Sequence, residues 1–472
     1  MKIFNLIFVL LSAISFSQNK QLLYGFSEIP QSLLLNPGGQ VKHDWYFGIP
    51  LLSHVHVSAG ATGSTIYDVF AVDGIDFNTK LKAAVYSMNE RDFYSANQQL
   101  EIFSGGFAFG DRFTKNKYLS FGMYQEFDFI SYFPKDYAVL GFEGNQNNIG
   151  RYFDLSHLRV KSDVVSVFHV GFNKKVNQDF TYGVRGKIYS SLANVNSVNN
   201  QGYFVTAVGK NNYYNHIFNL DLQLRTSGIA NYIDEDTEVE SSQIVKDMQK
   251  RLLFGGNLGL GFDIGFTYKL KEQWTLDASL LDVGFIRHSK DVENYSVSGV
   301  YNFEGFNPIF PEAEDGQTAQ EYWDEVKENM EDLFEVDTTV TKFTSWRPVK
   351  FNASINYAFE KDADPECNCA TPDNGYKSAA GIQLYAINRP KQPELALTAY
   401  YYRKLFKGLR AKATYTVDSY SPYNLGLGLS AHIGGVNFYL MADNFLQYSN
   451  LYNAQSLSLQ LGFNYIFNKK SP

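Results

Sequence analysis

"GLGFDIGFTYKLKEQWTLDASLL", residues Gly259 to Leu281, is apolar at every second position without ever becoming continuously apolar. Phe262, Ile264, Phe266 and Tyr268 form one set, and Gly261, Asp263, Gly265 and Thr267 lie between them. After "KLKEQ" the alternation resumes as Trp274, Leu276, Ala278 and Leu280 against Thr275, Asp277 and Ser279. A period of two sends successive side chains to opposite faces of a strand. Two such runs around a short polar break predict a hairpin with one apolar and one polar face. A soluble sandwich would turn the apolar face inward, whereas a membrane barrel would turn it to lipid.

The pattern recurs along the chain. Phe168, Val170 and Phe172 alternate with His169, Gly171 and Asn173, and Phe351, Ala353, Ile355, Tyr357 and Phe359 oppose Asn352, Ser354 and Asn356. Leu427, Leu429 and Ala431 oppose Gly428, Ser430 and His432, and "GG" at Gly434 and Gly435 leads into Val436, Phe438 and Leu440. The last run is Leu457, Leu459, Leu461, Phe463, Tyr465 and Phe467, with only "NKKSP" (468–472) beyond it. The polar face is rich in Gly, Ser, Asn, Asp, His, Arg and Lys, as a hydrated lumen would be. The apolar face tends to end in Tyr, Trp or Phe, as an interfacial girdle would. A C-terminal amphipathic strand ending on an aromatic, here Leu461, Phe463, Tyr465 and Phe467, is the form in which the outer-membrane assembly machinery recognises its clients.

The N-terminus fixes the compartment. "MKIFNLIFVLLSAISFSQ" has Lys2, an apolar core from Ile3 to Leu11, and Ser15 and Ser17 ahead of Gln18. This three-part arrangement predicts a signal peptide over 1–17. No later apolar run reaches the ~18 residues of a spanning helix. The expectation is an all-β, transmembrane antiparallel barrel in the cell outer membrane, with outer-membrane lipid around it.

Candidate strands fall near 41–60, 93–110, 117–133, 158–175, 178–192, 213–226, 255–270, 272–288, 347–360, 376–388, 394–406, 409–420, 423–433, 435–445 and 456–467. Merging or dropping one gives an even total, about fourteen, within a range of about twelve to sixteen. The barrel so defined spans 41–467, with long acidic insertions at 227–254 and 304–345 that do not read as strands. In the second insertion Tyr322, Val326, Met330, Leu333 and Phe334 fall at helical spacing, which predicts an amphipathic acidic loop helix.

Ahead of the barrel, 18–40 contains "SLLLNPGG". Ile29, Leu33 and Leu34 are spaced as on a helix, and Asn36-Pro37-Gly38 ends it and turns the chain. Such a segment can fold into the barrel mouth as a plug, or it can be a plain lead-in. Leu33 and Leu34 are too apolar to float in water and too short a run to enter lipid.

Composition narrows the chemistry. The 472 residues carry a net charge of -8, 33 Tyr, 39 Phe and 2 Cys. No basic patch stands out, so nucleic acid is not an expected partner. Cys367 and Cys369, in a turn-rich break, could pair with each other or bind metal; a lone Cys-x-Cys is a weak zinc signal, and a loop disulfide fits better. His54 and His56 share a strand face as ligands could, yet as lumen-facing polar residues they need no such role. No motif of a nucleophile, a metalloprotease or a phosphate or dinucleotide loop is present. The expectation is a non-enzymatic protein with no catalytic residues, no metal and no cofactor.

The segments "YGFSEIPQSLLLNPGG", "WYFGIPLLS", "FNTKL", "NQQLEIFSGGF" and "SLLDVGFIRHSKDVENYSVSG" resemble a Bacteroidota family of outer-membrane barrels of unknown function. More loosely, the chain is similar to barrels associated with type IX secretion and to fatty-acid-transporter barrels. The secretion-associated opening "SQYxFNPxxxNPAYAG" is absent. The resemblance implies fold and location rather than an activity. Two readings follow. The first is an accessory or structural subunit of an envelope complex for outer-membrane protein assembly or secretion, with outer-membrane or periplasmic partners. The second is a transporter or channel for a hydrophobic or small solute, which should show an open lumen or a lateral gap.

Overall fold

The computed structural model of the protein describes residues 20–110, 115–210, 213–229, 246, 249–304, 318, 320–321, 323–324, 336–362 and 375–467. Among them 21 strands form one antiparallel sheet. They begin with β1 (Trp45–Gly48), β2 (Val55–Ala61), β3 (Phe93–Phe109), β4 (Lys117–Tyr132), β5 (Tyr152–Asp154), β6 (Val160–Lys175) and β7 (Phe180–Ser197). Next come β8 (Gln201–Val208), β9 (Tyr214–Ser227), β10 (Asn257–Lys269), β11 (Trp274–His288), β12 (Val292–Phe303), β13 (Asp337–Thr339) and β14 (Phe343–Trp346). The last are β15 (Lys350–Lys361), β16 (Tyr376–Ile387), β17 (Glu394–Phe406), β18 (Leu409–Asp418), β19 (Asn424–Ile433), β20 (Val436–Asp443) and β21 (Ser456–Phe467).

The sheet closes into a barrel of 14 strands. β1 and β2 together make one wall strand, β14 and β15 another, and β21 joins the last edge to the first through Trp45↔Phe467 and Val55↔Leu461. Closure satisfies the backbone of every wall strand without leaving an edge. The first wall strand breaks at 49–54, where Leu51 takes a left-handed φ of 64° and turns outward with Leu52. Backbone bonds from Leu51 to Ile102 and from Phe463 to Leu52 keep the wall joined through the break.

The aromatics of the opening hairpin face out. Phe262, Ile264 and Tyr268 are exposed, while Asp263 and Thr267 are buried inside. Rings line up around the short-turn end: Trp45 stacks on Phe107 at 5.0 Å, and Trp274 lies 5.0 Å from Tyr357, which lies 6.0 Å from Phe359. That is the placement of an interfacial girdle. One irregularity escaped the alternation. Phe262 pairs with Val283 and Ile264 with Leu280, so β11 carries a bulge at Leu281–Asp282, with Asp282 at φ 59°. The bulge turns both residues inward.

Segment 213–226, read from sequence as a wall strand, leaves the wall. It is β9, and with β5, β8, β12 and β13 it forms a sheet that stands off the barrel at the long-loop end, rooted where Ser227 pairs with Asn194 of β7. Strand β13 lies inside the insertion at 304–345, and β14 begins within it and runs on to Trp346. The helices α1 (Ile66–Phe70), α2 (Phe77–Ser87) and α3 (Lys135–Glu143) accompany the sheet. α1 starts with a capping box between Thr65 and Asp68, and Asp76 caps α2. Val85, Val139, Phe153, Leu155, Phe204 and Leu220 form a common core, so the loops of this end make a folded cap.

Candidate functional site

The lumen is filled from the short-turn side by residues 20–44. Their apolar side chains pack inward: Leu22, Leu23, Phe26 and Ile29 are fully buried against Tyr439 and Met441. Phe26 meets Tyr402 edge-on at 5.5 Å. Leu33 is buried with Val41, Tyr46, Tyr118 and Ile466, and Leu34 packs against the cluster of Tyr124, Val165 and Tyr189. Only Pro30–Leu34 is helical, as a short 3₁₀ turn. Turn bonds such as Tyr24 N to Lys20 O and Asn36 N to Ser32 O serve part of the segment's backbone, and the remaining groups need partners from elsewhere.

Wall side chains supply them. Lys412 Nζ donates to the carbonyls of Gln21 and Tyr24 (3.1 and 2.7 Å), Ser279 Oγ to Leu35 (2.6 Å), and Asn173 Nδ2 to Pro37 and Gly39 (2.8 and 2.9 Å). Arg185 donates to the carbonyls of Leu33 and Leu34. The inward polar face, read from sequence as lining for water, here serves an irregular backbone. At the turn, Asn36 Oδ1 accepts from Gly38 N at 2.9 Å, and Asn36 Nδ2 donates to Phe266 O at 3.2 Å. Pro37 and Gly38 pass so near the wall that a Cβ at Gly183 or Gly38 would meet backbone. Glycine is required there for close approach.

Glu28 pins the segment at the turn end, 2.8 Å from Lys42 Nζ, 3.2 Å from Arg410 Nε and accepting from Tyr402 Oη at 2.8 Å. Burial alone would raise its pKa. Lys42 and Arg410 outweigh burial and hold it at about 2, against an ordinary 4.5. A depressed carboxylate stabilises the packed state above its ordinary pKa and loses that contribution as pH falls through the lowered value. The segment should therefore stay seated from pH 7 to about 5 and loosen progressively below about pH 4, read as current fluctuations across a planar bilayer. Loosening on the alkaline side alone would contradict this role for Glu28.

Above the segment, charges bridge the lumen from wall to wall. Asp263 binds Arg185 (3.0 Å) and Lys187 (2.9 Å), and Lys187 reaches Asp282 at 2.6 Å. Lys350 joins Asp282 (2.9 Å) to Glu126 (3.0 Å), and Arg347 joins Glu126 (2.9 Å) to Asp163 (3.7 Å). Arg389 binds Asp128 and Glu394, both at 2.7 Å. Glu126 and Asp128 lie on β4, whereas Lys350 and Arg389 come from β15 and the β16–β17 loop, on the far side of the barrel. Between this lattice and the segment lies a polar chamber of about 70 Å³, lined by Lys20, Gln21, His56, Glu126, Lys350 and Arg389 among others. A second chamber of about 110 Å³ flanks the segment toward the turn end, near Glu28, Lys42 and Asp277.

The residues singled out from sequence are thus partly brought together. Leu33, Leu34, Asn36, Pro37 and Gly38 all lie in the lumen. Leu22, Leu23 and Phe26 were missed, although their spacing with Ile29 was a legible helical signal. His54 and His56 stack inside the wall, and His54 Nδ1 lies 2.6 Å from Tyr439 Oη. Among the described residues no group of three or more His, Cys, Asp or Glu gathers as a metal site would. Leu461, Phe463, Tyr465 and Phe467 share the outward face of β21. Cys367, Cys369, the helix around Tyr322, Val326, Met330, Leu333 and Phe334, residues 1–17 and the tail 468–472 lie outside the described residues.

Among solved structures the chain is similar to the Ralstonia pickettii toluene transporter TbuX, at 8% identity and a TM-score of 0.43, covering 93% of this chain and 94% of that one. It is also similar to a Pseudomonas aeruginosa FadL homologue, at 10% identity, a TM-score of 0.42 and coverage of 96% and 99%. The translocator domain of the autotransporter NalP from Neisseria meningitidis is similar at 7% identity and a TM-score of 0.31, with coverage of 90% and 88%. No curated protein matches. A family profile does match, over residues 37–443, and the chain belongs to that family, the Family of unknown function (DUF5723).

Proposed function

We propose that the protein is an outer-membrane transport barrel for a small solute, closed at rest by its N-terminal segment acting as a plug. The observation that carries this reading is the small polar chamber that lies between the plug and the charge lattice. A barrel built only as a wall or scaffold needs no polar space at mid-lumen. The lattice rests on ion pairs that water and solute can replace, and the plug adds hydrogen bonds to its buried apolar packing. The apolar outward face and the girdle support a site in the membrane. Short turns at one end and long loops at the other support a cap that faces outside the cell.

The test is solute flux into liposomes holding the full-length protein, compared with variants that weaken either closure. Faster flux of small sugars or amino acids in the plug variants is the expected result, with Glu126→Ala alone staying close to the parent because the plug still fills the lumen. Equal tightness of all variants would overturn the reading. The accessory-subunit reading is favoured by one feature, the folded cap with its projecting sheet, which suits docking; a stoichiometric partner copurifying in mild detergent would support it.

The barrel reading carries its own expectation. The mature protein should fractionate with outer membranes and migrate faster unboiled than boiled, because a closed hydrogen-bonded wall resists detergent until heated. Recovery in a soluble fraction with no mobility shift would contradict it.

A further inference from the structure

At the long-loop end a cavity lies on the outer side of the wall. α1 and α2 fold over β2, β3 and β21 and form with them an open apolar pocket of about 400 Å³. This falls within the roughly 300–1,000 Å³ range of small-molecule sites. On β2, His56 and Ser58 are buried toward the lumen, so Ala59 and Ala61 face outward. The pairings Ala61↔Tyr94 and Ala59↔Leu457 put Tyr94 and Leu457 on that same outward face. Leu457 would meet lipid there, yet it is only 2% exposed, because loop elements roof it.

The roof is built for apolar contact. α2 turns Leu81, Ala84 and Val85 to the pocket, the spacing of one helical face, and its C-cap residue Met88 joins them. Tyr94 Oη reaches Met88 Sδ at 3.5 Å and ties the helix end to the wall. None of the lining side chains is charged. Beside the pocket Ile66, Phe70, Val72, Ile75 and Phe77 are each half or more exposed. Such a run is unfavourable against water and favourable against the acyl boundary of a bilayer.

We propose that this pocket binds a hydrocarbon chain that enters sideways from the membrane. Its position on the outward face, its uncharged lining and the exposed apolar edge of the roof all select an uncharged chain over a charged solute. The chain belongs either to a membrane lipid or to a dissolved apolar molecule. The inference goes beyond the transport reading, because the pocket lies outside the lumen and occupancy needs no flux.

The test uses the full-length protein in phosphatidylcholine vesicles and two photoreactive probes in separate experiments. One is a phosphatidylcholine with a diazirine at the end of an acyl chain; the other is a free medium-chain alcohol carrying the same group. After illumination, mass spectrometry should find label concentrated in 66–88 and 451–457, above the level at the outward wall residues Leu425 and Leu427. Label from the lipid probe makes the occupant a membrane acyl chain, and label from the alcohol alone makes it a dissolved solute. Ala84→Trp should fill the pocket and lower labelling of 66–88 about tenfold, or ~1.4 kcal/mol of occupancy. Ala61→Trp should do the same from the wall side without altering α2. Both variants should keep the heat-dependent mobility shift and the labelling of Leu425 and Leu427. Labelling of 66–88 that never exceeds those wall residues, or that persists undiminished in both variants, overturns the proposal. Loss of flux with labelling intact removes only the transport reading.

Discussion

Deleting residues 22–35 should leave a barrel that inserts and shifts on heating but passes ions and small antibiotics that the parent excludes. The wall strands pair with one another and with none of the deleted residues, so insertion survives. What is lost is the packing of Leu22, Leu23, Phe26, Ile29 and Leu33, each buried to 4% exposure or less. At ~1.5–3 kcal/mol per large apolar side chain these five hold the plug with roughly 8–15 kcal/mol, an upper bound. Thermal release is then rare, since each ~1.4 kcal/mol is a factor of ten. The intact protein should be silent in a bilayer. The charge lattice does not rescue closure after deletion. Once water reaches Glu126, Lys350 and Asp282, exposed pairs are worth only ~0–1 kcal/mol each and give way.

A milder variant separates plug release from loss of the segment. Arg185→Met removes the charge-assisted bonds to Leu33 and Leu34 but leaves Asp263 paired with Lys187 at 2.9 Å. No buried charge is stranded. Two such bonds at ~1.5–3 kcal/mol each should raise open time by about a hundredfold to ten-thousandfold over the parent. A deletion that inserts and stays as tight as the parent would show that the segment does not gate the lumen.

The wall was legible because its signal is local. Each strand writes its own alternation, and Phe262, Asp263 and Ile264 carry it without reference to any other part of the chain. The lumen was legible only in residue type. Arg185, Asn173 and Lys412 read as polar lining, but nothing in their spacing tells that they hold the carbonyls of residues 21–39 rather than water. Contacts such as Lys350 to Glu126 join positions 224 apart, and linear spacing says nothing of them. The bulge at Asp282 adds one residue to β11 and leaves no compositional mark. The cap was missed for a different reason. β9 alternates as a wall strand does and was read as one, whereas β8 buries Phe204, Val205 and Thr206 in a row and β12 is exposed or half-exposed beyond Val292, so neither alternates cleanly. Yet Thr65-x-x-Asp68 and Asp76-x-x-Thr79 were helix-start cues in plain view.

Removing Leu461–Phe467 should abolish assembly, and this is the largest effect expected of any short truncation. β21 is the seam of the barrel: it pairs with β20 from Val436↔Tyr465 to Asp443↔Ser458, and with β1 and β2 on its other edge. Without these seven residues, the turn-end part of β20 and all of β1 each lose their partners along one edge, although β19 and β3 still pair with their other edges. Each unsatisfied group in hydrocarbon costs several kcal/mol, which no side-chain contact offsets. The same residues also seat the plug, because Asn464 and Gln31 exchange amide bonds at 2.8 and 2.9 Å, and Gln31 passes a further bond to Glu101 at 2.8 Å. Seam and plug are therefore lost together. The truncated protein should fail to reach the membrane fraction and show no mobility difference on boiling. Removing 468–472 alone spares every one of these pairings and should leave both readouts near those of the parent. If both truncated proteins accumulated equally in the membrane, the seam would not be what assembly depends on.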